Sequence, residues 1–234
     1  MRKSEYLAYG IWIIAIVGII LVSGCSKQES STELTTTQTS KELAKESIQD
    51  ILAKAENVGP VNYEVVSINS MTGLPQEMIT EVTMKVWQKI PYMKIESTTV
   101  GTTTKMIVHP DATYFYDAAK DKYSKKTAEE MTAMVSQKPF EEFSRDIRES
   151  TTLKELGTEI IDGKLTTIVE YSVDVEGTPV KQKLWIWNEK GIPLKVESSI
   201  SMEEIVTTTN MEYKNFVFED IPDSVFEVPE DKII

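Results

Sequence analysis

The tightest constraint on this chain is a series of short apolar-alternating segments, joined by connections too brief to hold a crossover. Val82, Met84 and Val86 alternate with Glu81, Thr83 and Lys85. That period of two gives a strand one buried and one solvated face. Segments of this kind, rich in β-branched and aromatic residues, cover 61–69, 77–90, 92–100, 104–109 and 113–118. Pro91, Gly101 and Pro110-Asp111 punctuate them. Parallel neighbours need connections of about a dozen residues or more, so the spacing predicts an antiparallel meander.

A second meander is expected in the last third. Segments 159–161 and 165–175 flank Asp162-Gly163, a strong hairpin-turn pair. Leu165, Val169, Tyr171, Val173 and Val175 fall on one face. Segments 180–187 and 192–200 flank a turn at 188–191, and 205–213 adds a strand with Ile205, Met211 and Tyr213 inward. Between the meanders, 127–148 reads as helical. Met131, Met134 and Val135 share one face, and Pro139 starts a second short helix carrying Phe140, Phe143 and Ile147. A leading helix is expected over Lys41–Asn57, with Thr39 and Glu42 at capping-box spacing. Its apolar face holds Leu43, Ser47, Ile48, Ile51, Leu52 and Ala55, and Gly59-Pro60 stops it. The fold class is α+β, with seven to eleven antiparallel strands forming one strongly curved sheet.

Acidic residues outnumber basic ones, 37 to 25, for a net charge of −12. That balance excludes nucleic acid as a partner, since binding there needs a basic stripe to displace counterions. The single histidine, His109, has no Gly-x-Ser-x-Gly elbow to serve. A zinc site lacks ligands, and Asp117, Asp121, Glu219, Asp220 and Asp223 lack the spacing of a calcium loop. No Gly-rich phosphate loop occurs. The expectation is a non-enzymatic protein with no catalytic residue, metal or cofactor.

The only cysteine, Cys25, ends Leu21-Val22-Ser23-Gly24-Cys25 and closes an apolar stretch preceded by Arg2 and Lys3. A basic start, an apolar middle and small residues before a cut site form an export signal. The five residues resemble the lipobox of prokaryotic lipoproteins. That resemblance implies cleavage before Cys25, lipidation of its thiolate and a chain held on the extracytoplasmic face of a membrane. Stable anchoring by lipid takes two or more acyl chains. Residues 6–24 are also uncharged and long enough to span a bilayer, which needs about 18 residues, so an uncleaved anchor is the alternative. The Ser/Thr-rich stretch after Cys25 cannot bury enough to order itself and would reach roughly 20 Å as a coil. The expected organisation is a signal peptide at 1–24, a lipidated cysteine and tether at 25–40, and a curved-sheet domain at 41–234.

Gly157, Ile161-Asp162-Gly163-Lys164, Leu184-Trp185-Ile186-Trp187 and Lys190-Gly191-Ile192-Pro193-Leu194-Lys195 resemble the second half of LolA/LolB-type lipoprotein carriers and RseB-like sensors. The tail from Ile221-Pro222-Asp223 to Val228-Pro229 resembles their ending, and the likeness in layout spans about residues 41–234. It implies an unclosed β-barrel with helices and an apolar cavity on its concave face. In the carriers that cavity accepts acyl chains, while related domains act as envelope sensors. Soluble carriers have no anchor. This chain is therefore nearer to anchored receptors or lipid-binding lipoproteins.

The ligand expected on that basis is a lipid, a lipoprotein acyl chain or another apolar molecule. Its cavity would be lined by Met84, Val86, Met93, Met131, Met134, Val169, Tyr171, Leu184, Ile186 and Met211. Methionine is flexible and polarisable, which suits either an adaptable binding surface or gap-filling in a core. Alternation sets Trp87 among Thr83, Lys85 and Lys89, and Trp185 and Trp187 beside Lys181 and Lys183. Such a Trp/Lys face would suit a protein partner, as in an envelope sensor, or lysine stems simply cover the rings.

Overall fold

The structure is a computed structural model that describes residues 46–73, 75–127, 138–175, 177–202 and 204–234. Its eleven strands are β1 (Val61–Thr72), β2 (Met78–Lys89), β3 (Tyr92–Thr99), β4 (Thr102–Val108), β5 (Ala112–Asp117), β6 (Lys122–Thr127), β7 (Lys154–Ile161), β8 (Lys164–Val175), β9 (Thr178–Trp187), β10 (Pro193–Met202) and β11 (Ile205–Val217). They form one antiparallel sheet in the order 6-5-4-3-2-1-11-10-9-8-7. Each meander pairs its strands in sequence, and the β1–β11 contact joins the two halves. The curved sheet stays open: β6 and β7 are its ends, so it is an unclosed barrel.

Alternation gives this sheet one apolar face, and the described α-helices pack against it. Helix α1 (Ile48–Ala53) runs into a 3-10 turn at Lys54–Asn57, and helix α2 (Pro139–Glu149) precedes β7. Both lie against the concave face. The Ser47 hydroxyl caps α1 by accepting the Asp50 N–H at 3.2 Å. The expected leading helix is thus shorter within the described residues, because Ser47 takes the extended cap conformation where a helical interior had been expected. Thr39 and Glu42 lie outside the described residues. The helices lock together where the buried Ser144 hydroxyl donates to the Leu52 carbonyl at 2.7 Å. An Arg148–Glu56 ion pair at 2.5 Å adds a second tie.

Two apolar clusters fill the concave side. One joins Ile48, Ile51, Leu52 and Ile147 from the helices to Val169, Tyr171, Leu184, Ile186 and Val196 of β8–β10. The other joins Ala55 and Phe140 to Val61, Tyr63, Val65, Val86, Met93 and Val108 of β1–β4. A third cluster sits on the convex side, where the C-terminal segment brings Ile221 and Phe226 against Ile107, Ala112, Tyr114 and Tyr123. The chain end also caps the β6 edge, through a bridge from Tyr123 to Ile233 and an N–H from Ile234 to the Tyr123 carbonyl at 2.8 Å.

Strand β6 is one element that alternation did not reveal. Lys122–Thr127 carries three lysines, and its stability comes from pairing with β5 and from the C-terminal bridge. The early part of β7 was missed for a similar reason. Its side chains are largely exposed, and it holds a bulge between Glu155 and Gly157.

Candidate ligand-binding face

Register decides which side chains reach the concave face. Val65 pairs with Met84, Tyr63 with Val86, and Gln88 with Met93. Ile95 pairs with Met106, and Val196 with Met211. Met71 and Met78 pair with each other and keep the parity of Val65 and Met84. Met202 keeps the parity of Val196. All seven methionines of the described residues therefore occupy the concave face. Their exposure is graded, from 3% at Met93 to 39% at Met78 and 57% at Met202.

Charge obeys the opposite rule. Every Asp, Glu and Lys within β1–β4 and β8–β11 takes a convex register position, including Glu64, Lys85, Lys94, Glu96, Lys183, Lys195 and Glu212. Several pair there, as Lys94 does with Glu96 and Lys195 with Glu197. The concave face of these eight strands is free of formal charge, which suits apolar contact because a buried unpaired charge is costly.

The residues expected from sequence divide into three groups. Val169, Tyr171, Leu184 and Ile186 sit under α1 and α2, and Val169, Leu184 and Ile186 have no exposed surface. Side chains of the protein fill that end of the concave face. Met84, Val86 and Met93 belong to the β1–β4 cluster, while Met211 touches both clusters. Met131, Met134 and Cys25 lie outside the described residues. The structure adds Met71, Met78, Met106 and Met202 to the face, and strand parity with Met84 and Val196 was the available signal for them.

Burial controls the phenols on this side. Tyr63 lies 5.3 Å from the Phe140 ring and 6.1 Å from the Tyr213 ring. Desolvation pushes the Tyr213 hydroxyl up to about 12. It also raises Tyr63 and Tyr171, to which nearby Tyr213, and for Tyr171 also Asp146, add repulsion. These groups stay neutral at ordinary pH. Two open clefts, of about 660 and 300 Å³, lie elsewhere, at the end of the sheet beside Lys54, Trp187 and Phe218. The larger is walled by Lys54, Glu189, Lys190 and Asp220 beside Phe218, and the smaller by Glu46, Lys54, Lys164 and Glu189 beside Trp187, so both lack the apolar character an acyl chain requires.

The three tryptophans do not make a common exposed face. Trp185 is only 4% exposed, between Lys183 at 4.6 Å and Lys195 at 4.4 Å, and its indole N–H donates to Glu159 at 2.6 Å. Lysine stems cover the ring. Trp87 packs beside the convex C-terminal cluster under Lys94. Trp187 turns to Phe216 and Phe218, with ring centroids 6.3 and 5.9 Å away. Of the two readings of the Trp/Lys alternation, the structure bears out the covered one: cross-strand lysines and the C-terminal segment take up these rings. His109 is likewise engaged, with Nε2 2.8 Å from the Phe226 carbonyl and its ring between Tyr92 and Tyr114.

No protein-family model matches the sequence, and no curated protein matches it. Solved structures do match. An uncharacterised conserved protein of Thermus thermophilus overlays with a TM-score of 0.52 at 11% identity, covering 81% of this chain and 99% of that one. Lipoprotein LppX of Mycobacterium tuberculosis gives 0.46 at 17% identity, over 75% of this chain and 97% of its own. MucB in its complex with MucA from Pseudomonas aeruginosa gives 0.48 at 12% identity, over 78% and 61%. At these identities the likeness is one of fold alone.

Proposed function

We propose that the protein is a membrane-tethered binding protein whose concave sheet face holds a lipid or the acyl chains of a lipidated protein. Its role would be binding, without covalent chemistry. The observation that carries this reading is the segregation of side chains: seven methionines on one face, and the charges of eight strands on the other. Alternation alone requires apolar residues inside. It does not require that the most adaptable apolar residue be gathered there and extend to an exposed rim at Met78 and Met202. Methionine's three rotatable bonds let such a surface fit chains of different length and branching. Each methylene moved out of water contributes about 0.8 kcal/mol.

The tether fits that task. Cys25, lipidated as its lipobox-like context implies, would keep the domain within reach of the bilayer while the Ser/Thr-rich segment leaves it free to turn. The test is native mass spectrometry of the purified full chain after incubation with hexadecane and with a dipalmitoylated lipopeptide. A one-to-one complex with both is the expected result. If neither yields a bound species, the reading fails.

A further inference from the structure

Across the concave face, between the inner methionines and those at the rim, runs a row of polar uncharged side chains, with Ser67 and Thr207 on the rows to either side of it. Thr80 pairs with Asn69, Asn69 with Thr209, Thr209 with Ser198, Ser198 with Gln182, and Gln182 with Tyr171. Six successive strands each contribute one residue. Met84, Met93, Met106 and Met211 lie on one side of the row, while Met71, Met78 and Met202 lie on the other. Thr209 and Ser198 are 3% and 7% exposed, and the flanking Asn69 and Gln182 are half-buried.

Hydrogen bonds fix the two carboxamides. The Thr209 hydroxyl donates to Asn69 Oδ1 at 2.8 Å, and Asn69 Nδ2 donates to the Ser67 hydroxyl at 3.3 Å. The Tyr171 hydroxyl, neutral because burial raises its pKa, donates to Gln182 Oε1 at 3.0 Å. With its oxygen engaged, Gln182 has its two Nε2 hydrogens to offer. Ser198, on the adjacent strand and roughly 5 Å away, adds a hydroxyl that donates or accepts.

We propose that this row is a recognition site for the uncharged linkage of an amphiphile, with Gln182 and Ser198 donating to the carbonyl oxygens of an ester or amide neck. This rests on the acyl-binding reading above and narrows it. Adjacent strands pair these two residues directly, roughly 5 Å apart at the backbone, so both side chains can reach one neck. No lysine or arginine stands in the row to neutralise a phosphate or a free carboxylate, and burying such a charge unpaired is unfavourable. Apolar chains would lie on the methionines, and the neck would meet the polar belt. A ligand without a neck would leave the belt's donors unpaired, so the belt also selects against plain hydrocarbon.

The test compares three probes on the purified full chain by native mass spectrometry: 1,2-dipalmitoylglycerol, palmitate and hexadecane. The diester should be retained at least tenfold over each of the other two. In a Ser198→Ala, Gln182→Leu double variant, that preference should fall about tenfold, with the diester retained less and hexadecane retained more than by the wild-type chain. Equal retention of diester and hexadecane by the wild-type chain overturns the neck assignment but leaves the acyl-binding face intact. Failure to retain any of the three overturns both. Should the double variant not fold, Ser198→Ala alone and the wild-type ranking still decide: a preference unaltered in the single variant, or absent in wild type, refutes the proposal.

Discussion

Gly191 and Ile51 approach more closely than any side chain at position 191 would permit. A Cβ on Gly191 would lie 2.3 Å from the Ile51 carbonyl oxygen and 2.9 Å from the Ala55 nitrogen. The turn between β9 and β10 is thus seated against the backbone of α1 and its 3-10 extension. Gly191 also holds φ at +71°, a conformation that costs an L-residue about 1–2 kcal/mol. Gly191→Ala should therefore lower stability by about 2–4 kcal/mol. Urea titration followed by circular dichroism measures it; a loss below about 0.5 kcal/mol would mean that the helix shifts freely off the turn.

The second helix depends on one buried hydroxyl. Ser144 has no exposed surface, and its hydroxyl meets the Leu52 carbonyl in the last turn of α1, which also takes the Lys54 N–H. Ser144→Ala should cost about 1 kcal/mol, the net worth of the bond, because the Leu52 carbonyl keeps the Lys54 N–H. Ser144→Val should cost more, because the helices approach closely there. An equilibrium unfolding series on both variants tests the order.

Alkaline pH should unfold this protein earlier than its charge alone would dictate. In the unfolded chain the tyrosines release their protons near 10.0, whereas folding holds Tyr213 to about 12 and raises Tyr63 and Tyr171 as well. Above pH 10 the unfolded state binds fewer protons than the folded one, so stability falls as pH rises. Below pH 10 the contribution is fully present. Through the window from 10 to about 12 each such tyrosine removes about 1.4 kcal/mol per pH unit. Tyr213→Phe should make the decline in urea midpoint between pH 10 and 11.5 shallower by one tyrosine's share. An unchanged slope would show that Tyr213 is already hydrated in the native state.

How far the sequence carried this description depends on the kind of signal. Strands with a half-buried pattern, such as β2 with Val82, Met84 and Val86, were legible because period-two alternation is a local property. So was the turn at Asp162-Gly163. Strand β6 was not, since its lysines show no apolar stripe and its partner, Ile233, lies more than a hundred residues away. The tryptophans left two readings open for a related reason. Alternation assigns a side to Trp185 but cannot show that Lys195 and Glu159 arrive from other strands to cover it. The polar row escaped notice because its members come from six strands, and only the full register aligns them. The methionine face was half legible: Met84, Met93 and Met211 were placed by parity, Met78 lay within the expected strand at the same parity, and Met71 and Met202 needed the longer strands that the structure shows.

Gln88 marks a place where packing prevails over hydrogen bonding. It is almost fully buried beside Val61 and Met93, and its side-chain carbonyl has no partner among the described residues. A buried orphan acceptor costs about 1–3 kcal/mol. Replacing Gln88 with leucine, similar in volume and already the chemistry of its neighbours, should raise stability by about 1 kcal/mol, measured as an increased urea midpoint. A decrease would indicate that Gln88 makes a polar contact essential to the β2–β3 hairpin.

The rim methionines give the binding face its most direct test, because they are exposed enough to change without disturbing the core. Met78 and Met202 are 39% and 57% exposed, and surface substitutions of this kind usually alter stability by no more than about 0.5 kcal/mol. If chains of the ligand run out past the polar row onto the rim, Met78→Ser with Met202→Ser removes apolar contact that only a bound chain exploits. Losing two such contacts, each worth on the order of 1 kcal/mol, should weaken retention of a dipalmitoylated lipopeptide roughly tenfold to thirtyfold. The unfolding midpoint should stay within experimental error. A lipopeptide with acyl chains too short to reach the rim should lose nothing, which separates a contact at the rim from a general loosening of the sheet. Equal weakening for short and long chains would indicate such a loosening, and no weakening for either would place the ligand entirely below the polar row, among Met84, Met93, Met106 and Met211.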